Sequence, residues 1–136
     1  MRLNAYRRLA TVTTLDEVAD VEAEWTDRYG PVPEPALMLL ELARLRVLAL
    51  DAGIDEITAV KGPGFGGPTA VARIRSVKLA ASKEVRLSRL YPKSKYDPEI
   101  GLLHLAVSSR DQAAPETIAA LRDLEIFPDP NATAAP

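Results

Sequence analysis

Three groups of residues have types and spacings that could do chemistry. Glu24 and Asp27 flank the single tryptophan in EAEWTDRYGPVP, residues 22–33, one helical turn apart. Paired carboxylates can serve as general acid and base, or can grip an arginine through both oxygens. Gly62-Pro63-Gly64-Phe65-Gly66-Gly67 spells G-x-G-x-x-G, the pattern of a loop that cradles phosphates. Arg73, Arg75, Lys78, Lys83, Arg86, Arg89, Lys93 and Lys95 form a cationic run able to meet phosphates.

The elements expected around these groups narrow their use. At about 100° per residue, Val18, Val21, Trp25 and Tyr29 share one side of a helix, with Leu15 at its edge. Asp16, Asp20, Glu24 and Asp27 fall in a narrow arc on the opposite side. An acid–base pair needs a pocket and a shifted pKa, and an exposed stripe offers neither, so no catalytic residue is assigned. Two readings stay open for the stripe: a solvated face, on which Arg28 pairs with Glu24 at i,i+4, or a docking surface for an arginine-bearing partner. The glycine loop precedes TAVARIR, which reads as a strand. A dinucleotide site needs a helix there, so loop 61–68 reads as a hairpin connection. The cationic run is either a solvated face or a nucleic-acid-binding module over residues 73–95, and only Tyr91 and Tyr96 are at hand for base stacking. His104, in LLHLAV, has no acid or nucleophile near it in sequence and reads as a packed or edge-facing histidine.

Composition sets further bounds. The 136 residues suffice for one domain with a modest core. No cysteine is present, which removes thiolate and disulfide chemistry, and one histidine leaves no metal site of nitrogen or sulfur ligands. No cofactor is implied. MRLNAYRRLA has no signal-peptide run, and the most apolar segment carries Glu41, Arg44 and Arg46, so a soluble, cytoplasmic chain is expected without membrane contact. The net charge of −2 conceals −5 over residues 1–60, +8 over 61–96 and −5 over 97–136, predicting surfaces of opposite sign.

The periodicity predicts an α+β fold, with a helical N-terminal half packed on a small, mostly antiparallel sheet and further short helices. A helix is expected over 2–11, with Leu3, Tyr6, Leu9 and Ala10 on one side. The next runs from a Thr14/Glu17 capping box to Tyr29, where Gly30, Pro31 and Pro33 stop it. A third, apolar nearly all round, runs from Pro33–Pro35 to Ala52. IDEITAVKG, TAVARIRSVKLAA (one long strand, or two with a bend) and IGLLHLAV read as strands. KEVRLSRLY reads as a short helix with Val85, Leu87, Leu90 and Tyr91 inward, and APETIAALRDLEIF as a last helix. One domain is expected over 1–127, with a disordered tail over 128–136.

RLNAYRRLA, EAEWTDRYGPVPEPALMLLELARLR and RLSRLYPKSKY together resemble the C-terminal domain of the bacterial transcription-repair coupling factor (Mfd, TRCF) family. The family pattern falls on Arg2, Leu3, Tyr6, Arg7, Arg8, Leu9 and Ala10. It continues on Glu24, Asp27, Arg28, Tyr29, Gly30, Pro33, Ala36, Leu39 and Leu40. The likeness is dense over residues 2–50 and looser beyond. It implies a fragment of an ATP-dependent DNA translocase that displaces stalled RNA polymerase and recruits UvrA for excision repair. The motor's helicase motifs have no counterpart here, so the resemblance implies no ATPase activity. It also implies that this domain docks on an N-terminal UvrB-like module, masks the UvrA-binding surface and represses the motor. The family's docking carboxylates fall on Glu24 and Asp27, facing arginines of that module, and Asp16 and Asp20 extend the same stripe. No family role falls on loop 61–68 or on the basic middle.

Overall fold

The computed structural model describes residues 3–62, 67 and 69–128, the side chains of residues 3–6 excepted. The expected loop at 62–67 falls mostly outside these residues, and so does the expected tail from 129 onward. The class is α+β, with five helices and a four-stranded antiparallel sheet among the described residues. A single domain is expected over 1–127; the chain's own contacts gather into two compact units, Met1–Leu48 and Ala49–Pro136.

The first unit is helical. It holds α1 (Leu3–Ala10), α2 (Leu15–Tyr29) and most of α3 (Glu34–Asp51). α2 begins at the capping box: the Glu17 N–H donates to Thr14 Oγ1 over 3.1 Å. Glu17 reaches one residue further back than the motif predicts, accepting from the Thr13 hydroxyl at 3.0 Å and the Thr13 N–H at 3.4 Å. Gly30 ends the helix at φ 80°, ψ −157°, a positive φ that favours glycine, and donates its N–H to Thr26 O over 2.9 Å. Val18, Val21 and Trp25 are buried, while Leu15 and Tyr29, expected on the same side, stay exposed at 39% and 46%. The ends of an amphipathic helix overhang its core, and these two residues mark those ends. Leu9, Val12, Ala36, Leu40, Ala43 and Val47 complete the cluster around Trp25. Leu45 and Leu48 are buried as well, so α3 is apolar on more than one side, yet Leu39, Leu42 and Leu50 remain exposed.

The second unit carries the sheet, with strands β1 (Glu56–Lys61), β2 (Ala70–Arg75), β3 (Lys95–Asp97) and β4 (Leu102–Val107) in the order β1-β2-β4-β3. Ala70, Ala72 and Ile74 of β2 pair with Val107, Leu105 and Leu103 of β4, and all six are buried. Helix α5 (Ala113–Asp123) contacts β2 and β4 and buries Ile118 and Leu121. Three sequence expectations are corrected here. TAVARIRSVKLAA, expected as one long strand or two with a bend, is a single strand that stops at Arg75, because Ser76 takes φ 65° and residues 77–80 leave the ladder. That exit is held by Tyr96, whose hydroxyl donates to Val77 O at 2.7 Å and accepts from the Leu79 N–H at 3.2 Å. A fourth strand, β3, appears where none was expected. In α4 (Ala81–Leu90) only Leu87 is fully buried; Val85 and Leu90, expected inward, are 68% and 43% exposed.

Candidate functional site

Two surfaces carry the residues singled out by sequence, one in each unit. On α2 the buried face of Val18, Val21 and Trp25 directs Asp16, Asp20, Glu24 and Asp27 away from the core. Asp16, Asp20 and Asp27 are exposed, and Glu24 is 37% exposed. The stripe is not uniform. Glu24 is in an ion pair with Arg8 of α1 and also lies 3.7 Å from the Arg28 guanidinium. Among the described residues, Asp16, Asp20 and Asp27 have no ion pair or side-chain hydrogen bond. The Arg28 contact follows from i,i+4 spacing and is predictable. The Arg8 contact needs the register of α1 on α2, for which no local signal exists. Glu22, just off the stripe, binds Arg44, which also donates to Glu41 at 2.6 Å. This pairing fixes α2 to α3 and takes Glu22 out of any docking role.

The caps that position the stripe are themselves electrostatic. The Thr13 hydroxyl and N–H hold Glu17 below the ordinary carboxylate value of 4.5. Since the folded value is depressed, this contribution to α2 is present above that ordinary value and lost as pH falls below it. Where the chain leaves α1, Arg46 donates to Leu9 O at 3.0 Å and, two residues past the helix, to Val12 O at 3.1 Å.

The cations of the second unit divide into two sets. Lys83 and Arg86 turn to Glu125, at 2.8 and 3.8 Å, and this pairing, led by the Lys83 hydrogen bond, lowers the Glu125 pKa. Arg75 stands opposite Glu56 in the β1–β2 register. Lys78 and Arg89 are exposed, Lys78 beyond the end of β2 and Arg89 in the last turn of α4. Arg73 is placed differently. It faces Thr58 on one side and His104 on the other, and His104 in turn faces Lys95. These residues share the face of the sheet opposite the buried one. There Arg73, His104 and Lys95 line an open cleft of about 450 Å³ with Val60, Gly67, Val71, Pro92 and Lys93. The structure thus brings Arg73, Lys93, Lys95 and His104 together, while Arg75, Lys78, Arg86 and Arg89 do not line the cleft. His104 is half-buried on that face, not locked in the core. Its partnership with Arg73 needed the β2–β4 register, and Lys95 needed the strand that sequence reading missed.

Pro92 and Lys93 sit on a turn whose two ends are tied down. The Ser94 N–H donates to Tyr91 O, and Ser94 Oγ accepts from the Ala106 N–H, both at 2.9 Å. The Tyr91 hydroxyl donates to Asp123 at 2.6 Å. Burial first, then the Asp123 carboxylate, pushes the phenol up to about 12. Among the described residues no group of three or more histidine, cysteine or carboxylate side chains could hold a metal ion. No helix among them is long and apolar enough to cross a membrane.

Comparison with known proteins agrees with the helical unit's signature. Residues 1–67 match the TRCF domain family. The chain is similar to the transcription-repair-coupling factor of Mycobacterium tuberculosis, 44% identical over 96 residues, which are 71% of this chain and 7% of that protein. The Escherichia coli transcription-repair-coupling factor is 41% identical over 56 residues, 41% of this chain and 5% of that protein. The Haemophilus influenzae protein of the same name is 31% identical over 78 residues, 57% of this chain and 7% of that protein. The chain therefore spans well under a tenth of the length of these relatives.

Proposed function

We propose, for a chain that carries a TRCF domain over residues 1–67 and so stands with the transcription-repair coupling factors, a non-catalytic and autoinhibitory role. In this reading the α2 stripe docks on arginines of a UvrB-like module of the same parent protein. Docking masks the UvrA-binding surface and restrains a DNA translocase that acts on stalled RNA polymerase.

The observation that carries the reading is the set of carboxylates unpaired among the described residues, Asp16, Asp20 and Asp27, held outward on a helix whose opposite side is anchored by Val18, Val21 and Trp25. Isolated carboxylates on a fixed element suit bidentate capture by arginine, because no internal partner must be displaced first. Asp27 is the primary contact in this scheme. Glu24 joins by exchanging Arg8 for an arginine of the partner. Each exposed pair contributes on the order of 0.2–1 kcal/mol. A few of them bias a closed–open equilibrium by roughly 1–3 kcal/mol, the scale of a reversible clamp.

The test is made in a full-length coupling factor bearing this domain. Asp27→Ala should raise UvrA binding several-fold and increase ATPase activity, with Glu24→Ala smaller and the double variant largest. The UvrB-like module supplied in trans should lose affinity for the variants in the same order. Unchanged UvrA binding, ATPase and DNA binding in the double variant would overturn the reading.

A further inference from the structure

The cleft on the open face of the sheet has no part in that docking scheme, and its lining is specific enough to name a ligand chemistry. From the geometry we infer that this face binds an extended peptide segment in which acidic and apolar side chains alternate at every second residue.

The register fixes the pattern. Arg73, His104 and Lys95 lie in one row across β2, β4 and β3, with Thr58 of β1 at its end. Strands lie about 4.8 Å apart, so the three nitrogen-bearing side chains start within about 10 Å of one another. The adjacent row on the same face is apolar: Val60, Val71 and Ala106. The two rows are separated by two residues of strand, about 6.8 Å. That distance equals the spacing of side chains i and i+2 in an extended peptide. A peptide running along β2 can therefore set a carboxylate over Arg73 and His104 and an apolar side chain over Val71 in the same stroke. Pro92 and Lys93, on their pinned turn, close one wall and add a further cation.

The charges here are uncommitted. Among the described residues, Arg73, Lys93 and Lys95 take part in no ion pair, whereas Lys83 and Arg86 are taken by Glu125. Asp97, two residues from Lys95 on β3, accepts the Glu99 N–H at 3.0 Å. A nucleic-acid strand fits less well. Among the described residues the His104 imidazole is the one aromatic ring on the cleft, too few for successive bases to stack on, and the floor of Val60, Val71 and Pro92 gives nothing to a phosphodiester chain. Side chains of an extended peptide alternate in direction, so every second one can meet this face.

The test uses the whole 136-residue chain and a fluorescein-labelled nonapeptide with Glu and Leu two residues apart and Ser between them. Fluorescence anisotropy should show saturable binding, weakened at least tenfold by Arg73→Glu with Lys95→Glu. Val71→Asp should also weaken it about tenfold, while Arg86→Glu leaves it within twofold. Each variant's circular dichroism melt shows whether it is folded; Arg73 and Lys95 are exposed and their exchange should leave the melt unchanged. The same peptide with Lys for Glu should not bind. Absence of binding by the Glu/Leu peptide, binding insensitive to Arg73 and Lys95, or tighter binding of a thymidylate dodecamer would each overturn the inference.

Discussion

On α2 the charged stripe lies across the helix from Val18, Val21 and Trp25; on the sheet, Arg73 lies across the strand from Ala72 and Ile74. Both surfaces are the polar side of an amphipathic element, and both are partly neutralised by the fold. In the helical unit Glu24 and Glu22 are consumed by Arg8, Arg28 and Arg44, leaving three aspartates. In the sheet unit Lys83 and Arg86 are consumed by Glu125, leaving Arg73, Lys93 and Lys95 around the cleft. The difference is in what remains. The helix keeps a line of like charges on a convex surface, suited to a partner that brings its own cations. The sheet keeps cations beside apolar side chains in a concave one, suited to a ligand that brings both kinds of group. The net charge of a segment is therefore a poor measure of the charge it can offer.

The two surfaces differ most in what lies beneath them. Trp25, 2% exposed, is the largest of three buried side chains that anchor the acidic helix, whereas Leu103, fully buried, is one of six side chains under the basic face. Trp25→Ala should cost about 3–5 kcal/mol and Leu103→Ala about 2–5 kcal/mol in denaturant unfolding. A loss under about 1 kcal/mol for Trp25→Ala would show that the helix does not depend on this anchor.

A smaller effect separates spent from unspent carboxylates. Glu24→Ala should cost about 0.2–1 kcal/mol of stability, since its pairs are exposed and screened. Asp27→Ala should stay within about 0.5 kcal/mol of wild type, as expected for a surface substitution that breaks no contact. A double-mutant cycle of Arg8→Ala with Glu24→Ala should show coupling, and the Arg8→Ala, Asp27→Ala cycle should show none.

The smallest effect concerns the turn beside the cleft. In an alkaline absorbance titration Tyr91 should ionise near 12, well above its ordinary value of 10.0. A folded value that is raised means that this contribution is present below pH 10 and lost as pH climbs toward 12. Asp123→Asn should bring the value down while leaving it above 10, because burial is the larger cause. A return to 10 would assign the shift to Asp123 instead.

Much of the helical unit was legible because its signals are local. Thr14 and Glu17 announce the start of α2 three residues apart, and Gly30 with two prolines announces its end. The apolar spacing of Val18, Val21 and Trp25 identifies the buried side without reference to anything else. The sheet was less legible where its limits depend on distant residues. β2 stops at Arg75 because Ser76 turns left-handed and Tyr96 captures Val77 and Leu79, some twenty residues away in the chain. Nothing in SVKLAA marks that stop, and its alternation continues past it. β3 is only three residues, KYD, and is a strand by virtue of pairing with β4. For the same reason the acidic stripe could be drawn from helical geometry, while the sorting of its members into paired and unpaired could not. How the basic run divides could not be read from sequence, because Glu125, which takes two of its members, comes forty-two residues after Lys83.

The pairing of Glu24 with Arg8 has a consequence for ionic strength. An arginine that takes Glu24 from Arg8 trades one ion pair for another, so the number of neutralised charges hardly changes. Contact through Asp27 creates a pair where none stood and releases the small ions that had screened both groups. Two carboxylates one helical turn apart should thus answer salt differently, Asp27 steeply and Glu24 weakly. Binding through this helix would retain a salt-tolerant remainder after its electrostatic attraction has been screened away.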